Sequence, residues 1–232
     1  MSLQEELSAI HERYKLRDAL PTGRYSMFSQ DVLLSVQQRQ RAAIKLLSSR
    51  GIQTLRDMDL LEIGCGTGAN LMEFLQLGAL PERMVGNDLL PERLRQAQHV
   101  LPEAMRLLAG NAAELALEES SFDIVYQSTV FSSILDDALQ QHIAAAMWKW
   151  VRPGGAVLWY DFTCNNPRNP DVRGVPLPRV RELFPEARIT ARRVTLAPPL
   201  ARALVRIHPA LYGPFNSVPW LRTHILCWIE KQ

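Results

Sequence analysis

The segment that most constrains this chain is Leu60-Leu61-Glu62-Ile63-Gly64-Cys65-Gly66-Thr67-Gly68-Ala69-Asn70-Leu71. An apolar run meets three glycines at alternate positions, and helix-forming residues follow. Glycine permits the tight turn such a junction needs and lets a ligand lie close against the backbone. The helix start beyond it offers unpaired N–H groups to a carboxylate or phosphate. Asp88 stands 22 residues after Gly66, at the end of the next apolar run, Met84-Val85-Gly86-Asn87. A carboxylate there can accept hydrogen bonds from ribose hydroxyls. A glycine loop alone is weak evidence. Joined to an acid at the next strand end, it predicts a nucleoside-bearing cofactor at the strand C-termini.

The surrounding pattern alternates. Strand-like runs are Asp59–Ile63, Met84–Asn87, Met105–Leu108, Phe122–Gln127 and Ala156–Phe162, with helical runs at 69–78, 91–100 and 134–151 between them. Such alternation predicts a doubly wound α/β fold, a mostly parallel sheet with helices on both faces. Pro153-Gly154-Gly155 reads as a turn feeding a strand. Ahead of this core, residues 2–20 read as a polar helix. Residues 29–49 read as a second one, with Val32, Leu33, Val36, Ala43, Ile44 and Leu47 at mostly helical spacing and Gly51 as its stop. Behind the core come a short helix at 177–184 and strands at 187–196 and 223–229. The apolar, proline-bearing connection 197–221 is too long for a hairpin turn. With no repeat and no Gly/Ser linker, the expectation is one domain over 1–232. It comprises a helical cap (1–51), a cofactor-binding core (52–163) and an acceptor-side region (164–232).

Composition narrows the class. Hydrophobic residues make up 47% and charged residues 22%, as in soluble globular domains. No apolar run is long enough to span a bilayer, and Met1-Ser2-Leu3-Gln4-Glu5-Glu6 lacks the plan of a signal peptide. Cys65, Cys164 and Cys227 lie too far apart for a disulfide framework or a zinc site, so no metal and a cytoplasmic setting are expected. The net charge of +2 hides an asymmetry: residues 168–206 hold nine arginines against three acids. That excess suits an acidic acceptor, a phosphate or an anionic membrane face, and equally a solvated face beside a neutral core.

Glu62 stands two residues before Gly64. With Ala69 as third small residue the loop also fits a dinucleotide fingerprint, but an acid, one residue, then G-x-G-x-G resembles the first motif of class I S-adenosylmethionine-dependent methyltransferases. Three further segments resemble that family in order: Gly110-Asn111-Ala112-Ala113, Ser121-Phe122-Asp123-Ile124-Val125 and Val151-Arg152-Pro153-Gly154-Gly155. No Tyr has a Lys four residues later, so the short-chain dehydrogenase site is absent. The resemblance implies a seven-stranded sheet of order 3-2-1-4-5-7-6 with the last strand antiparallel, and S-adenosyl-L-methionine as cofactor. Tyr25-Ser26-Met27-Phe28, Asp161-Phe162, the run Asn165 to Gly174 and Leu221-Arg222-Thr223-His224 are similar to a bacterial subfamily associated with surface-glycan biosynthesis.

By that resemblance Glu62 belongs to the cofactor-binding set, and the backbone of Gly64, Cys65, Gly66 and Gly68 receives the methionine part of the cofactor. Asp88 takes the ribose, Leu89 packs on the adenine, and Asn111 and Ala112 read its edge. The family usually has Asp at position 111, and Asn can still accept through its carbonyl oxygen. Gln127 and Ser128 fall near the amino-acid end, while Tyr14, Arg24 and Tyr25 belong to the cap. For the acceptor the candidates are Tyr160, Asn165, Asn166, Arg168 and Arg173, with the 197–221 insertion as cover. Asp161 is the candidate base, because Ser132-Ser133 occupies the place where many family members carry histidine.

The expected reaction is methyl transfer to a small-molecule or glycan acceptor at a hydroxyl, the acceptor being anionic or lipid-linked. Tyr126-Gln127-Ser128-Thr129 is unlike the N-P-P-Y run of DNA amino-methyltransferases, and residues 127–135 hold no glutamate pair for arginine methylation. Nucleic acid is therefore discounted as a partner, although RNA stays open on the arginine excess. A cofactor-binding module without catalysis also stays open. So does peripheral contact with the inner membrane face, where Leu200, Leu204, Ile207, Leu211 and Phe215 could form an apolar side beside Arg202 and Arg206.

Overall fold

A computed structural model describes residues 3–18, 26–165 and 169–232. Helix α1 (Leu3–Asp18) and helix α2 (Gln30–Ser48) precede the alternating core. That core runs β1 (Leu60–Ile63), α3 (Ala69–Gln76), β2 (Met84–Asp88), α4 (Pro91–Gln98), β3 (Arg106–Ala109), β4 (Phe122–Ser128), α5 (Asp137–Trp150) and β5 (Val151–Phe162). It continues through α6 (Leu177–Leu183), β6 (Arg188–Leu196), α7 (Pro198–Ile207), α8 (Tyr212–Ser217) and β7 (Arg222–Glu230). The seven strands form one sheet in the order β3-β2-β1-β4-β5-β7-β6, parallel except that β7 runs antiparallel to both neighbours. The expected topology is the observed one.

The two-residue period of the strands sorts side chains into two layers. Val157 and Trp159 of β5 face α5 and α6, packing with Ile143, Met147, Trp150, Val180 and Leu183. Leu158 and Tyr160 face the other way, into a layer with Leu46 and Leu47 of α2, Phe74 of α3 and Leu94 of α4. Strand β1 is central and buried at all four positions, which explains its unbroken apolar character apart from Glu62.

Three local features differ from the sequence expectation. Helix α5 starts at Asp137 rather than 134, because the Asp136 carboxylate caps it by accepting from the Leu139 N–H at 2.8 Å. Strand β5 begins at Val151, not Ala156. Its pairing with β4 shifts register between Phe122 and Ile124, and Gly154 there has φ +80°. The connection 197–221 is largely helical, and its inner side chains Ala201, Leu204 and Tyr212 form a small core with Leu196, against Leu34 of α2. The Arg222 guanidinium ties it down by donating to the carbonyls of Asn216 (2.7 Å) and Arg193 (2.9 Å). Of the apolar face expected beside Arg202 and Arg206, Leu200, Leu204 and Leu211 therefore pack inward, and only Ile207 and Phe215 stay exposed.

Direction decides where this insertion lies. Phe162 at the end of β5 pairs with His224 near the start of β7, and Leu196 at the end of β6 pairs with Arg222. The α7–α8 segment thus stands at the same sheet end as the glycine loop.

The glycine pair in the β5 bulge separates two kinds of strain. A Cβ on Gly155 would lie 2.7 Å from the Asp123 carbonyl oxygen, an atom fixed in the sheet, whereas one on Gly154 meets nothing but strains a positive φ. Gly155→Ala should cost about 3 kcal/mol and Gly154→Ala about 1 kcal/mol in urea denaturation. Equal losses would contradict this reading of the bulge.

Candidate functional site

The loop after β1 turns through three left-handed glycines, with φ of +68° at Gly64, +55° at Gly66 and +90° at Gly68. A Cβ on Gly64 would stand 2.4 Å from a Val130 methyl, so only glycine fits there. Asp88, at the end of β2, closes the turn. One carboxylate oxygen accepts from the Gly66 N–H at 2.8 Å and the other from the Leu90 N–H at 2.9 Å. Burial raises its pKa, and these two N–H groups oppose the rise.

Beside the loop, on the α5 face of the sheet, lies a cleft of about 520 Å³ open to solvent at its mouth. Of the residues expected to bind the cofactor, Tyr14, Gly64, Asp88, Leu89, Asn111 and Ala112 line it. The Asn111 side chain caps the turn after β3: its oxygen accepts from the Ala113 N–H at 3.1 Å and its amide donates to Glu114 at 3.1 Å. Arg24, Tyr25, Asn166 and Arg168 lie outside the described residues.

Helix α1 crosses this cleft and is fastened on both sides. Glu6 is fully buried, accepting from the Leu135 N–H and from Arg13, each at 2.8 Å, and Arg13 also donates to the Ser133 carbonyl at 3.3 Å. On the α4 side the Arg93 guanidinium sits 4.4 Å from the Tyr14 ring centre, and His11 approaches Glu92 at 3.4 Å. Leu7 and Ile10 project between these fastenings into the cleft lining. Sequence reasoning missed Glu6 and Arg13, since nothing in a polar helix distinguishes a buried acid from a solvated one.

Other expected residues stand behind the walls. Glu62 is fully buried, takes a hydrogen bond from the Asn70 amide at 2.6 Å and leaves its second oxygen without a partner. Burial pushes its pKa up to about 8. Cys65 is buried beneath the loop. Gln127 braces the turn after β4, donating to the Tyr160 carbonyl at 3.3 Å and accepting from the Val130 N–H at 3.1 Å. Ser128 meets Arg39 of α2 at 3.4 Å, and Arg39 pairs with Glu73 of α3 at 2.6 Å. Arg39 was hidden in the polar run Gln37-Gln38-Arg39-Gln40-Arg41.

The acceptor-side residues do not converge. Tyr160 lies on the α2 face, its hydroxyl 2.9 Å from Thr195 and its ring stacked on His224. Burial lowers His224 to about 3, so it is neutral. Asn165 accepts from the Gly174 N–H at 2.8 Å, and Arg173 is ion-paired with Asp137. Asp161 is fully buried, with Oδ1 accepting from the Phe162 N–H (2.9 Å) and Oδ2 from the Ser132 N–H (3.1 Å). Burial pushes it up to about 7 against the side chains of Ser132 and Gln127. A base must reach the proton it removes. In this arrangement Asp161 instead anchors the turn that forms the cleft's far wall.

Residues 60–155 match the family model described as a methyltransferase domain. No curated protein matches the chain. The fold is similar to a SAM-dependent methyltransferase from Archaeoglobus fulgidus, at 13% identity and TM-score 0.58 over 85% of this chain and 98% of that one. It is similar to Burkholderia thailandensis 1,6-didemethyltoxoflavin-N1-methyltransferase at 19% identity and TM-score 0.63, over 100% and 92%. It also resembles Haemonchus contortus phosphoethanolamine N-methyltransferase 1 at 14% identity and TM-score 0.67, over 100% of this chain and 50% of that one.

Two predictions come from these buried carboxylates. Asp88→Ala removes the acceptor for two loop N–H groups and also the ribose acceptor expected from the sequence. Hydrogen bonds to a charged group are worth about 1.5–3 kcal/mol, so S-adenosylhomocysteine affinity should fall about tenfold or more in calorimetry, with a lower melting temperature. Unchanged affinity would remove Asp88 from the site. The second concerns pH. Glu62 and Asp161 hold protons in the folded state that the unfolded chain releases near its ordinary carboxylate pKa. Their contribution to stability should therefore decline as pH rises toward about 7 for Asp161 and about 8 for Glu62, and level off above. Melting curves of Asp161→Asn and Glu62→Gln should each show a shallower decline than the parent, and parallel curves would refute the assignment.

Proposed function

We propose that this chain is an S-adenosylmethionine-dependent methyltransferase that acts on a hydroxyl of a small-molecule or glycan acceptor, one that is anionic or lipid-linked. The observation that carries the reading is the meeting of Gly64, Asp88, Leu89, Asn111 and Ala112 in one cleft at the strand C-termini. The cleft fits the cofactor: it has a loop that only glycine can form, a buried carboxylate for ribose hydroxyls and an apolar side chain for an aromatic base. In this reading the Gly64–Gly68 backbone holds the methionine part, and Asp88 takes the ribose. Leu89 covers the adenine, and Asn111 with the Ala112 N–H reads its edge. When bound, the cofactor supplies a methyl group on a positively charged sulfur. The chain's own residues then orient the partners and exclude water, with Tyr14, Leu7 and Ile10 of α1 closing the cleft. The arginine excess of residues 168–206 suits an anionic acceptor, although Asn165 and Arg173 are themselves engaged by Gly174 and Asp137. The likeness to the surface-glycan subfamily in Asn165 to Gly174 and Leu221 to His224 supports the glycan option.

A second reading is favoured by the engagement of both Asp161 oxygens. A nitrogen nucleophile with a free lone pair needs no base, unlike a sugar hydroxyl. Two of the fold's neighbours are named as N-methyltransferases, which agrees with this alternative.

The test joins binding to turnover. Calorimetry should give micromolar-range affinity for S-adenosylhomocysteine and nothing comparable for NAD. A cofactor-consumption screen over sugars, lipid-linked glycans and small amines should then find turnover in one class. Loss of cofactor with amines alone would select the second reading. Tight binding without consumption by any class would make the chain a binding module, and salt-sensitive binding of RNA with turnover would replace the small-molecule reading.

A further inference from the structure

We infer that the α7–α8 insertion is a docking surface for an anionic phospholipid bilayer; the inference is independent of the methyl acceptor's identity. The insertion has an inner core of its own, in Ala201, Leu204 and Tyr212, so its outer side chains are not needed to hold it in place. Yet four of them are large and apolar. Trp220 is 87% exposed and Ile207 75%, with Phe215 and Val218 also exposed. Single exposed apolar residues are ordinary. Here they fall within residues 207–220, on a segment fastened to β6 through Arg222.

Charge decides the occupant. From Ala187 to Ile229 the chain has six arginines and no acidic residue. Among the described residues no ion pair engages Arg202 or Arg206 of α7. A two-fold contact between copies sets a surface against itself, which here would oppose arginine to arginine with no acid to offset it. An anionic bilayer complements both properties: tryptophan and aliphatic side chains enter the headgroup boundary, and arginine stems follow while the guanidinium groups meet lipid phosphates. Because the insertion stands at the glycine-loop end of the sheet, docking would turn the cleft's end of the molecule toward the lipid.

The experiment is co-sedimentation of the full chain with vesicles of equal parts phosphatidylglycerol and phosphatidylcholine, and with phosphatidylcholine alone, at low and high salt. Binding should occur on the anionic vesicles only and weaken with salt. Trp220→Ser should weaken it about tenfold or more. Each arginine near an anionic surface is worth about fivefold, so Arg202→Glu with Arg206→Glu should weaken it at least about twentyfold. Melting temperature and S-adenosylhomocysteine affinity of these variants should match the parent, since the substituted groups lie outside the cleft. Absence of binding to anionic vesicles would overturn the inference, as would binding that both variants leave intact. A dimer in sedimentation velocity that Trp220→Ser dissolves would assign the surface to a second copy. RNA binding in place of vesicle binding would assign it to nucleic acid.

Discussion

The hydrogen bond from the Gly66 N–H to the Asp88 carboxylate, at 2.8 Å, is the contact on which the rest of the site depends. It ties the loop after β1 to the end of its parallel neighbour β2, across a turn that runs through left-handed conformations. Three glycines at positive φ do not hold a shape by themselves, because glycine loses more conformational freedom on folding than any other residue. The carboxylate supplies the missing constraint and fixes Leu90 through its other oxygen, so Leu89 between them is presented to the cleft. One acidic side chain thereby sets the loop, the strand end and the apolar wall at once.

The opposite wall depends on a second group of buried polar atoms. Thr129 is held at φ +57°, and the turn that follows it is braced by Gln127, by Asp161 and by Gln140 of α5, whose amide donates to the carbonyls of Phe131 and Ile134 at 3.0 Å each. Glu6 extends the same network to α1. Each of these groups is satisfied at least in part by backbone, so the turn is held at several points beneath the α1 residues that line the cleft. Glu6 is the acceptor for the half-buried Leu135 N–H, so α1 and this wall are joined through one carboxylate.

The alternation of strands and helices was legible because a sheet covered on both faces demands apolar runs of strand length separated by amphipathic helices. The glycine loop and Asp88 were legible because the turn admits so few residue types. The strand order needed more than periodicity: the reversal of β7 came from family likeness, and the pairing of Phe162 with His224 now displays it. Glu6, Arg39 and the bracing role of Asp161 were not legible. Their effect lies in burial and in long-range partners such as Leu135, Glu73 and Ser132, and local sequence carries no trace of either. The helices of the insertion were obscured by prolines, which occupy helix starts at Pro198 and Pro199 rather than breaking the segment.

Antiparallel β7 has a consequence beyond sheet closure. Had the last two strands continued the parallel pattern, the connection between them would have crossed to the opposite end of the sheet. Reversal instead returns the chain at the end where the strand C-termini lie, and it places 25 residues without an acid (197–221) there. The acids at this end come from the core: Glu92 opens α4, and Asp136 and Asp137 open α5. Asp59 and Asp123 pair with Arg152 at the far end of the sheet, and Glu62, Asp88 and Asp161 are buried. The arginines of the insertion are therefore set apart along the chain from these acids, and the modest net charge of +2 conceals that grouping. Near the insertion, Arg202 and Arg206 favour approach by anionic species over a distance of about 10 Å at moderate salt. Topology, more than composition, sets this acid-free segment at the end of the sheet where the glycine loop lies.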